Sequence, residues 1–337
     1  MNNAALSRLK YITKLKLSKI FNRSFLPPIE VLLTLTNRCN LRCTMCNFYK
    51  FETKPSDELT TEQFNSIVSQ VADLKVGTIV FSGGEPFLRD DLFEIIHFAT
   101  KCGIANTVLL TNGTIINEEI IRKINESGLK AICISIDGLE EAHDSTRGKG
   151  TFRKSIHFIE TLQKRCPQVA LNVTTTIMNR NLEDIPKLLS LYEKMKIKQI
   201  SFQPVIPDNT DWNNDNEKRQ DLLVPQERFP LLDYAIDEII NYKKKNGIII
   251  GSYSFLELIK HYFKGDLGTM KRKLNCFEGF KRFTVTVGGR LWLCGTEMKL
   301  NIVENGLRKC WDSSEVRKKR RAMLKCKLPC LQACAFE

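Results

Sequence analysis

Three cysteines fall within eight residues near the start of the chain: Cys39, Cys43 and Cys46, in the stretch LTNRCNLRCTMCNFYK (35–50). Thiols at that density point to metal. A closed structural zinc site takes four protein ligands, and a four-iron cluster also offers four corners. The stretch supplies one thiolate too few for either. Residues 47–90 contain no histidine and no further cysteine, so zinc lacks a fourth ligand close by. A short loop can wrap one cluster with three thiolates and leave the last iron open to another molecule.

A second set lies at the other end: Cys276, Cys294, Cys310, Cys326, Cys330 and Cys334, six of the twelve cysteines, all after residue 275. Cys102, Cys133 and Cys166 lie between the two sets, in or beside apolar segments, and read as small buried hydrophobes. In a reducing compartment such thiols serve metals or catalysis more often than disulfides.

Alternating segments position the first set. Short β-branched runs at 31–36, 77–84, 106–114, 130–138, 169–178 and 197–205 read as strands, and 60–74, 90–102, 117–128, 151–166 and 181–195 carry helical apolar spacing. This order implies an α/β fold with a parallel sheet and right-handed crossovers. Six βα units are too few for a closed eight-fold barrel, which leaves a partial (β/α)6 barrel or a doubly wound sheet. Ligands sit at the carboxyl ends of such strands. Those ends hold the cysteine stretch, SGGEP (82–86), TNG (111–113), SIDG (135–138) and FQP (202–204).

Residues 206–228 read as a polar loop, followed by a helix at 229–245. KRFTVTVGGRLWLCG reads as a hairpin turning at Gly288-Gly289. The expected division is an arm at 1–30, a core at 31–205, a linker with helices at 206–275, and a small cysteine-rich domain at 276–337. That last part is too small for a large core, so a metal centre would compensate.

The net charge is +13, from 51 basic and 38 acidic residues, and VRKKRRAMLKCK holds seven basic residues in twelve. Such a field favours an acidic partner, an anionic lipid surface or nucleic acid, but no aromatic–basic binding motif supports nucleic acid. No run of eighteen apolar residues and no secretory signal occur, so a cytoplasmic location is expected. In the arm, Leu6, Leu9, Ile12, Leu15 and Ile20 fall on roughly one helical face, interrupted by Lys10, Lys14 and Lys16. That fits a helix at the inner membrane face or one packed across the barrel bottom. About thirty residues are too few for a fused peptide-recognition domain, so a peptide-modifying version would need a separate partner.

CxxxCxxC after a first strand, SGGEP after the second, LLTNGT (109–114), and SIDG followed by HDSTRG (143–148) together resemble the radical S-adenosylmethionine (radical SAM) superfamily across residues 31–205. The resemblance implies that Cys39, Cys43 and Cys46 ligate three irons of a [4Fe–4S] cluster and that S-adenosylmethionine chelates the fourth. Gly83, Gly84 and Glu85 would meet its methionyl amino group, Asn112 and Ser135 its ribose or carboxylate, and Met45 its adenine. Asp137 and Arg147 would either take part or fix the loop after the fourth strand. The implied reaction is reductive cleavage to a 5′-deoxyadenosyl radical that abstracts a substrate hydrogen.

The later cysteines resemble a SPASM or twitch extension. This implies one auxiliary [4Fe–4S] cluster on Cys276, Cys294, Cys326 and Cys330, with Cys334 competing and Cys310 packed; structural zinc is the alternative. The resemblance also implies an acidic electron donor such as flavodoxin or ferredoxin. Peptides or proteins, sugars or nucleotide-sugars, and lipid-linked saccharides are the substrate classes it leaves open. The competing function is a non-enzymatic iron–sulfur or zinc protein that senses redox state or binds nucleic acid.

Overall fold

A computed structural model describes residues 3–51, 53–206, 221–266, 268–270, 277–326 and 331. An N-terminal helix α1 (Asn3–Phe21) precedes β1 (Glu30–Thr36). Then α2 (Thr61–Asp73), β2 (Thr78–Gly83), α3 (Leu92–Lys101), β3 (Asn106–Thr111), α4 (Glu118–Ser127) and β4 (Ala131–Ser135) alternate. Next come α5 (Glu140–Arg147), α6 (Thr151–Arg165), β5 (Ala170–Ile177), α7 (Ile185–Lys194), β6 (Gln199–Pro204), α8 (Phe229–Asn246) and α9 (Tyr253–Phe263). The last part holds β7 (Arg282–Val285), β8 (Arg290–Leu293), β9 (Thr296–Asn301) and the helices α10 (Ile302–Asn305), α11 (Leu307–Trp311) and α12 (Ser314–Leu324).

The strands form one sheet in the order β6-β5-β4-β3-β2-β1-β7-β8-β9. β1 to β6 are parallel, in a register that sets Leu33 beside Phe81, Phe81 beside Leu109 and Leu109 beside Ile132. Those residues face the helices. On α2, Phe64, Ile67, Val68 and Val71 are buried against them, each contributing roughly 1.5–3 kcal/mol. Local chemistry sets the helix ends. Thr60 accepts from the Gln63 amide in a capping box on α2. Asn117 caps α4, and Gly128 ends it at φ +77°.

The hairpin at Gly288-Gly289 is present, with β7 and β8 antiparallel. It is not held by a metal centre alone, as its small size suggested. β7 lies parallel to β1, with Val31 beside Phe283 and Leu33 beside Val285. Phe283, Val285, Leu291 and Leu293 are buried in the same core as β1 and α2.

The arm forms α1, but with a different buried face. Leu15, Ser18 and Asn22 are buried while Leu6, Leu9, Ile12 and Ile20 are exposed. Asn22 donates through Nδ2 to the Arg317 carbonyl at 2.9 Å, and the Lys19 ammonium sits 4.1 Å from the Phe277 ring centre. Among the described residues, no helix is long and apolar enough to cross a membrane.

Candidate functional site

The three-cysteine loop leaves β1 at Thr36 and is tied down on three sides. Towards the β2 end, Gly84 donates its amide to the Thr36 carbonyl at 2.8 Å and Glu85 to the Arg38 carbonyl at 2.9 Å. Towards the β3 end, Asn40 donates to Thr114 Oγ1 and accepts from Asn112 Nδ2, both at 2.9 Å. Towards α5, the Thr44 amide donates to the Thr146 carbonyl at 2.9 Å. The glycines of SGGEP are explained by this contact: a Cβ on Gly83 or Gly84 would stand 2.2 Å from the Thr36 or Arg38 carbonyl oxygen.

Glu85 is wholly buried. Its carboxylate accepts from Thr111 Oγ1 at 3.0 and 3.1 Å, from the Asn112 amide at 2.9 Å and from the Phe87 amide at 3.2 Å. Burial nevertheless pushes its carboxyl up to about 7. The Asn112 amide group is engaged as well: its oxygen accepts from the Thr114 amide and hydroxyl, and its nitrogen bonds Asn40. Both residues expected to touch the cofactor thus also lock the rim. Ser135, at the end of β4, is half-buried. Met45 is half-buried and packs with Met178, Val205 and Leu222 near the ends of β5 and β6.

SIDG and HDSTRG form one corner. Asp137 is fully buried, accepts from the Thr176 amide at 2.7 Å, and pairs with Arg147 Nε at 2.6 Å. His143 Nδ1 accepts from the Asp137 amide at 3.1 Å, and burial lowers the imidazole to about 4. Asp144 caps α6 by accepting from the Phe152 amide at 2.9 Å. The Arg147 guanidinium sits close enough to Cys43 and Cys46 for their charges to act on one another. Burial pushes the Cys43 thiol up to about 12, against the pull of that cation.

A further buried network, unmarked in the sequence reading, braces the other side of the loop. Glu58 accepts from Thr36 Oγ1 at 2.5 Å, Arg38 Nε at 3.2 Å and Arg89 Nη1 at 3.3 Å. Arg89 also donates to the Leu35 and Leu59 carbonyls and to Asp91. The only local hint is an arginine three residues after Pro86.

Cys39 and Cys46 are half-buried and Cys43 is buried. Among the described residues, no three Cys, His, Asp or Glu groups converge on a single-ion position. The three thiols are close enough to influence one another, and the Leu41 and Phe48 amides point at Cys39 and Cys46 sulfur at 3.4 and 3.5 Å. Three thiols on one short loop, two of them with backbone amides aimed at their sulfur, fit an iron–sulfur group.

Of the second set, Cys294 and Cys326 are described and near enough to affect each other, while Cys276, Cys330 and Cys334 lie outside the described residues. Cys294 and Gly295 make the β8–β9 turn, with φ of +45° and +74°. Cys310 is packed, as expected, its thiol on the Asn301 carbonyl. Cys166 is also buried, whereas Cys102 and Cys133 are half-buried.

A cavity of about 600 Å3 lies between the flanks of the first loop and Cys294; Cys39, Cys43 and Cys46 themselves do not line it. Asn37, Phe48 and Phe51 wall it on the side of the first loop. Cys294, Glu278, Trp292 and Glu297 wall the other side, and Thr34, Ser82, Thr284 and Thr286 add hydroxyls. These are positions the sequence reading did not mark, because they converge only when β7 lies beside β1.

Comparison with known proteins gives the following likenesses. Residues 33–192 match the Radical SAM superfamily. The AdoMet-dependent heme synthase of Methanosarcina barkeri is 37% identical over 163 residues, 48% of this chain and 46% of that protein. The PqqA peptide cyclase of Rhizobium meliloti is 27% identical over 300 residues, 86% of this chain and 75% of that protein. The chain spans about half the length of the first curated relatives it matches. Streptococcus suis SuiB bound to precursor peptide SuiA has the same fold, with a TM-score of 0.70 at 15% identity over 96% of this chain and 73% of that one. So does anSMEcpe with bound AdoMet, with a TM-score of 0.64 at 21% identity over 87% and 82%.

Proposed function

Because the chain belongs to the radical SAM superfamily through residues 33–192, we propose that it is a radical SAM enzyme acting on a peptide or protein, with an auxiliary iron–sulfur cluster assisting. The observation that carries this reading is the cavity of about 600 Å3 between the three-cysteine loop and Cys294. A substrate lying there is beside Cys294 and beside Asn37 and Phe48, which flank the three cysteines in sequence. When bound, the [4Fe–4S] cluster and S-adenosylmethionine supply one-electron cleavage to a 5′-deoxyadenosyl radical that abstracts hydrogen.

The chain's own residues do the rest. Cys39, Cys43 and Cys46 hold the cluster, with Arg147 offsetting thiolate charge. Glu85, Gly83 and Gly84 hold the loop against the rim, and together with Met45, Asn112 and Ser135 they form our assignment for the cofactor. The Phe48 and Phe51 rings give the cavity wall an apolar surface. Cys276, Cys294, Cys326 and Cys330, with Cys334 as competitor, are our assignment for the auxiliary cluster, within a domain division of 31–205 and 276–337. The competing redox-sensing or nucleic-acid-binding function does not account for the superfamily match.

A peptide substrate is favoured by the reach of the likenesses. The heme synthase match covers 48% of this chain, whereas the peptide cyclase match covers 86% and so extends beyond the radical SAM domain. The remaining parts of the reading are an acidic electron donor such as flavodoxin or ferredoxin, suggested by the charge of +13, and a cytoplasmic location with peripheral contact at the inner membrane face through the basic N-terminal arm.

The test is anaerobic. Reconstituted protein with dithionite should convert S-adenosylmethionine to 5′-deoxyadenosine and methionine. No product from protein whose cluster is verified by spectroscopy overturns the enzyme reading. A mass change in a co-expressed candidate peptide, absent with the Cys43→Ser variant, supports the substrate class.

A further inference from the structure

Helix α1 carries a surface that the radical chemistry does not use. Six of its large hydrophobic side chains are exposed: Leu6, Leu9, Ile12, Leu17, Ile20 and Phe21. Phe25 is exposed too and packs edge-on against Phe21, ring centres 5.8 Å apart. Only five other large hydrophobics are exposed among the described residues. The concentration is extreme at two positions, where Ile20 is 74% and Phe21 64% exposed. An apolar patch of this kind marks an interaction site.

The helix is nevertheless fixed. Leu15, Ser18 and Asn22, at helical spacing, face the protein. Asn22 is bonded to the Arg317 carbonyl, and Lys19 lies over Phe277. The opposite face interleaves the apolar residues with exposed Lys10, Lys14 and Lys16. No acidic residue occurs before Glu30. The Asn22–Arg317 bond also brings up α12, whose Arg317, Lys318 and Arg321 are exposed, as is Lys325 just beyond its end.

We propose that α1 docks the protein on an anionic lipid surface, with Leu9, Ile12, Ile20 and Phe21 inserted at the headgroup boundary and the lysines and α12 on the phosphates. Aliphatic and aromatic side chains spread between lysines suit a bilayer, because lysine stems lie along the apolar layer while their ammonium groups stay at the headgroups. An acidic globular partner would answer the charge but not the exposed isoleucine and phenylalanine. The inference deepens the peripheral contact named above and is independent of the radical chemistry.

Flotation of the full chain with phosphatidylcholine vesicles, and with vesicles also containing phosphatidylglycerol, tests it. Binding should require the anionic lipid and weaken with salt. Lys10→Glu/Lys16→Glu should reduce it roughly tenfold or more, and Ile20→Ser/Phe21→Ser should reduce it without changing the salt dependence. Circular dichroism checks that both variants fold, and both should cleave S-adenosylmethionine with dithionite as well as the parent does. Equal binding to neutral vesicles, no binding to anionic ones, or variants that bind like the parent overturns the proposal. So does retention by an acidic flavodoxin that depends on Lys10 and Lys16 but not on Ile20 and Phe21. Failure of cleavage by the parent protein would bear on the enzyme reading alone.

Discussion

The two walls of the cavity are built differently. On one side the loop with Cys39, Cys43 and Cys46 is bonded to three neighbouring rims and flanked by the buried pairs Asp137–Arg147 and Glu58–Arg89. On the other, Cys294 stands on a two-residue turn of a hairpin that reaches the site by adding β7 to the edge of β1. The first wall is over-determined by polar contacts buried in a low-dielectric setting, where each unmet group is costly. The second is placed by apolar packing of Phe283, Val285, Leu291 and Leu293. A site where a reactive species forms needs rigid positions; a site beside a substrate tolerates looser ones. The comparison implies unequal responses to substitution.

The largest difference is expected in metal content and chemistry. Cys43→Ser should remove about four irons per chain and abolish formation of 5′-deoxyadenosine. Cys294→Ser should leave the first cluster and cleavage in place while disturbing any second cluster. Iron analysis and product assay on both variants decide it. If Cys294→Ser abolishes cleavage as fully as Cys43→Ser, the two walls are not independent.

Next in size is the buried pair. Arg147→Met removes the ion-pair partner of Asp137 at a position with no solvent exposure. Breaking such a pair costs about 3–5 kcal/mol, and the Cys43 thiol loses the cation that opposes its upward shift. Chemical denaturation of the apoprotein should show that loss, and iron loading should fall with it. Arg122→Met, at an exposed pair with Glu126, should change stability by under about 1 kcal/mol. Equal effects would mean that the corner around Asp137 is not specially braced.

Glu85 gives a pH signature confined to the first wall. Its carboxyl is held up to about 7, above its unfolded value, so the folded state binds the extra proton between those limits. Stability is therefore fully present below the unfolded pKa and is lost as pH rises towards and through 7, by roughly 3 kcal/mol at most. Glu85→Gln should flatten that slope, and calorimetry across pH 5 to 8 on both proteins measures the difference. S-adenosylmethionine affinity at unchanged iron content should fall in the same variant if the carboxylate also serves the cofactor.

The same contrast explains what could be read beforehand. The six βα units carry local apolar periods and caps such as Thr60 and Asn117, so their existence and order are visible in the sequence. Cys39, Cys43 and Cys46 are visible because their spacing is local. Helix α5 is not, since it buries only His143 and Thr146 and has no apolar stripe. Nor is the approach of Arg147 to Cys43, which depends on the β4–α5 corner folding back across the rim. The β1–β7 pairing joins segments about 250 residues apart in sequence, and no local period encodes such a partner. Leu15 and Ile20 fall on the same expected stripe of α1, but only Leu15 finds a surface to cover it. Burial on a helix is decided by what packs against it, not by its own period.

The smallest effect tests whether the second wall is shaped for its thiol. Leu293 pairs with Thr296 across a turn in which both central residues have positive φ. Such turns favour Asn, Asp or Gly at the first central position, and a side chain with a Cβ held there costs about 1 kcal/mol. In the apoprotein, Cys294→Gly should therefore raise stability by up to that amount, a melting shift of only a few degrees at most. In the iron-reconstituted protein the same change should lower iron content. Opposite signs in the two states would mean that a strained turn is occupied by cysteine for its sulfur. A loss of stability in both would mean that the Cys294 side chain contributes packing, and the second wall would then be as tightly specified as the first.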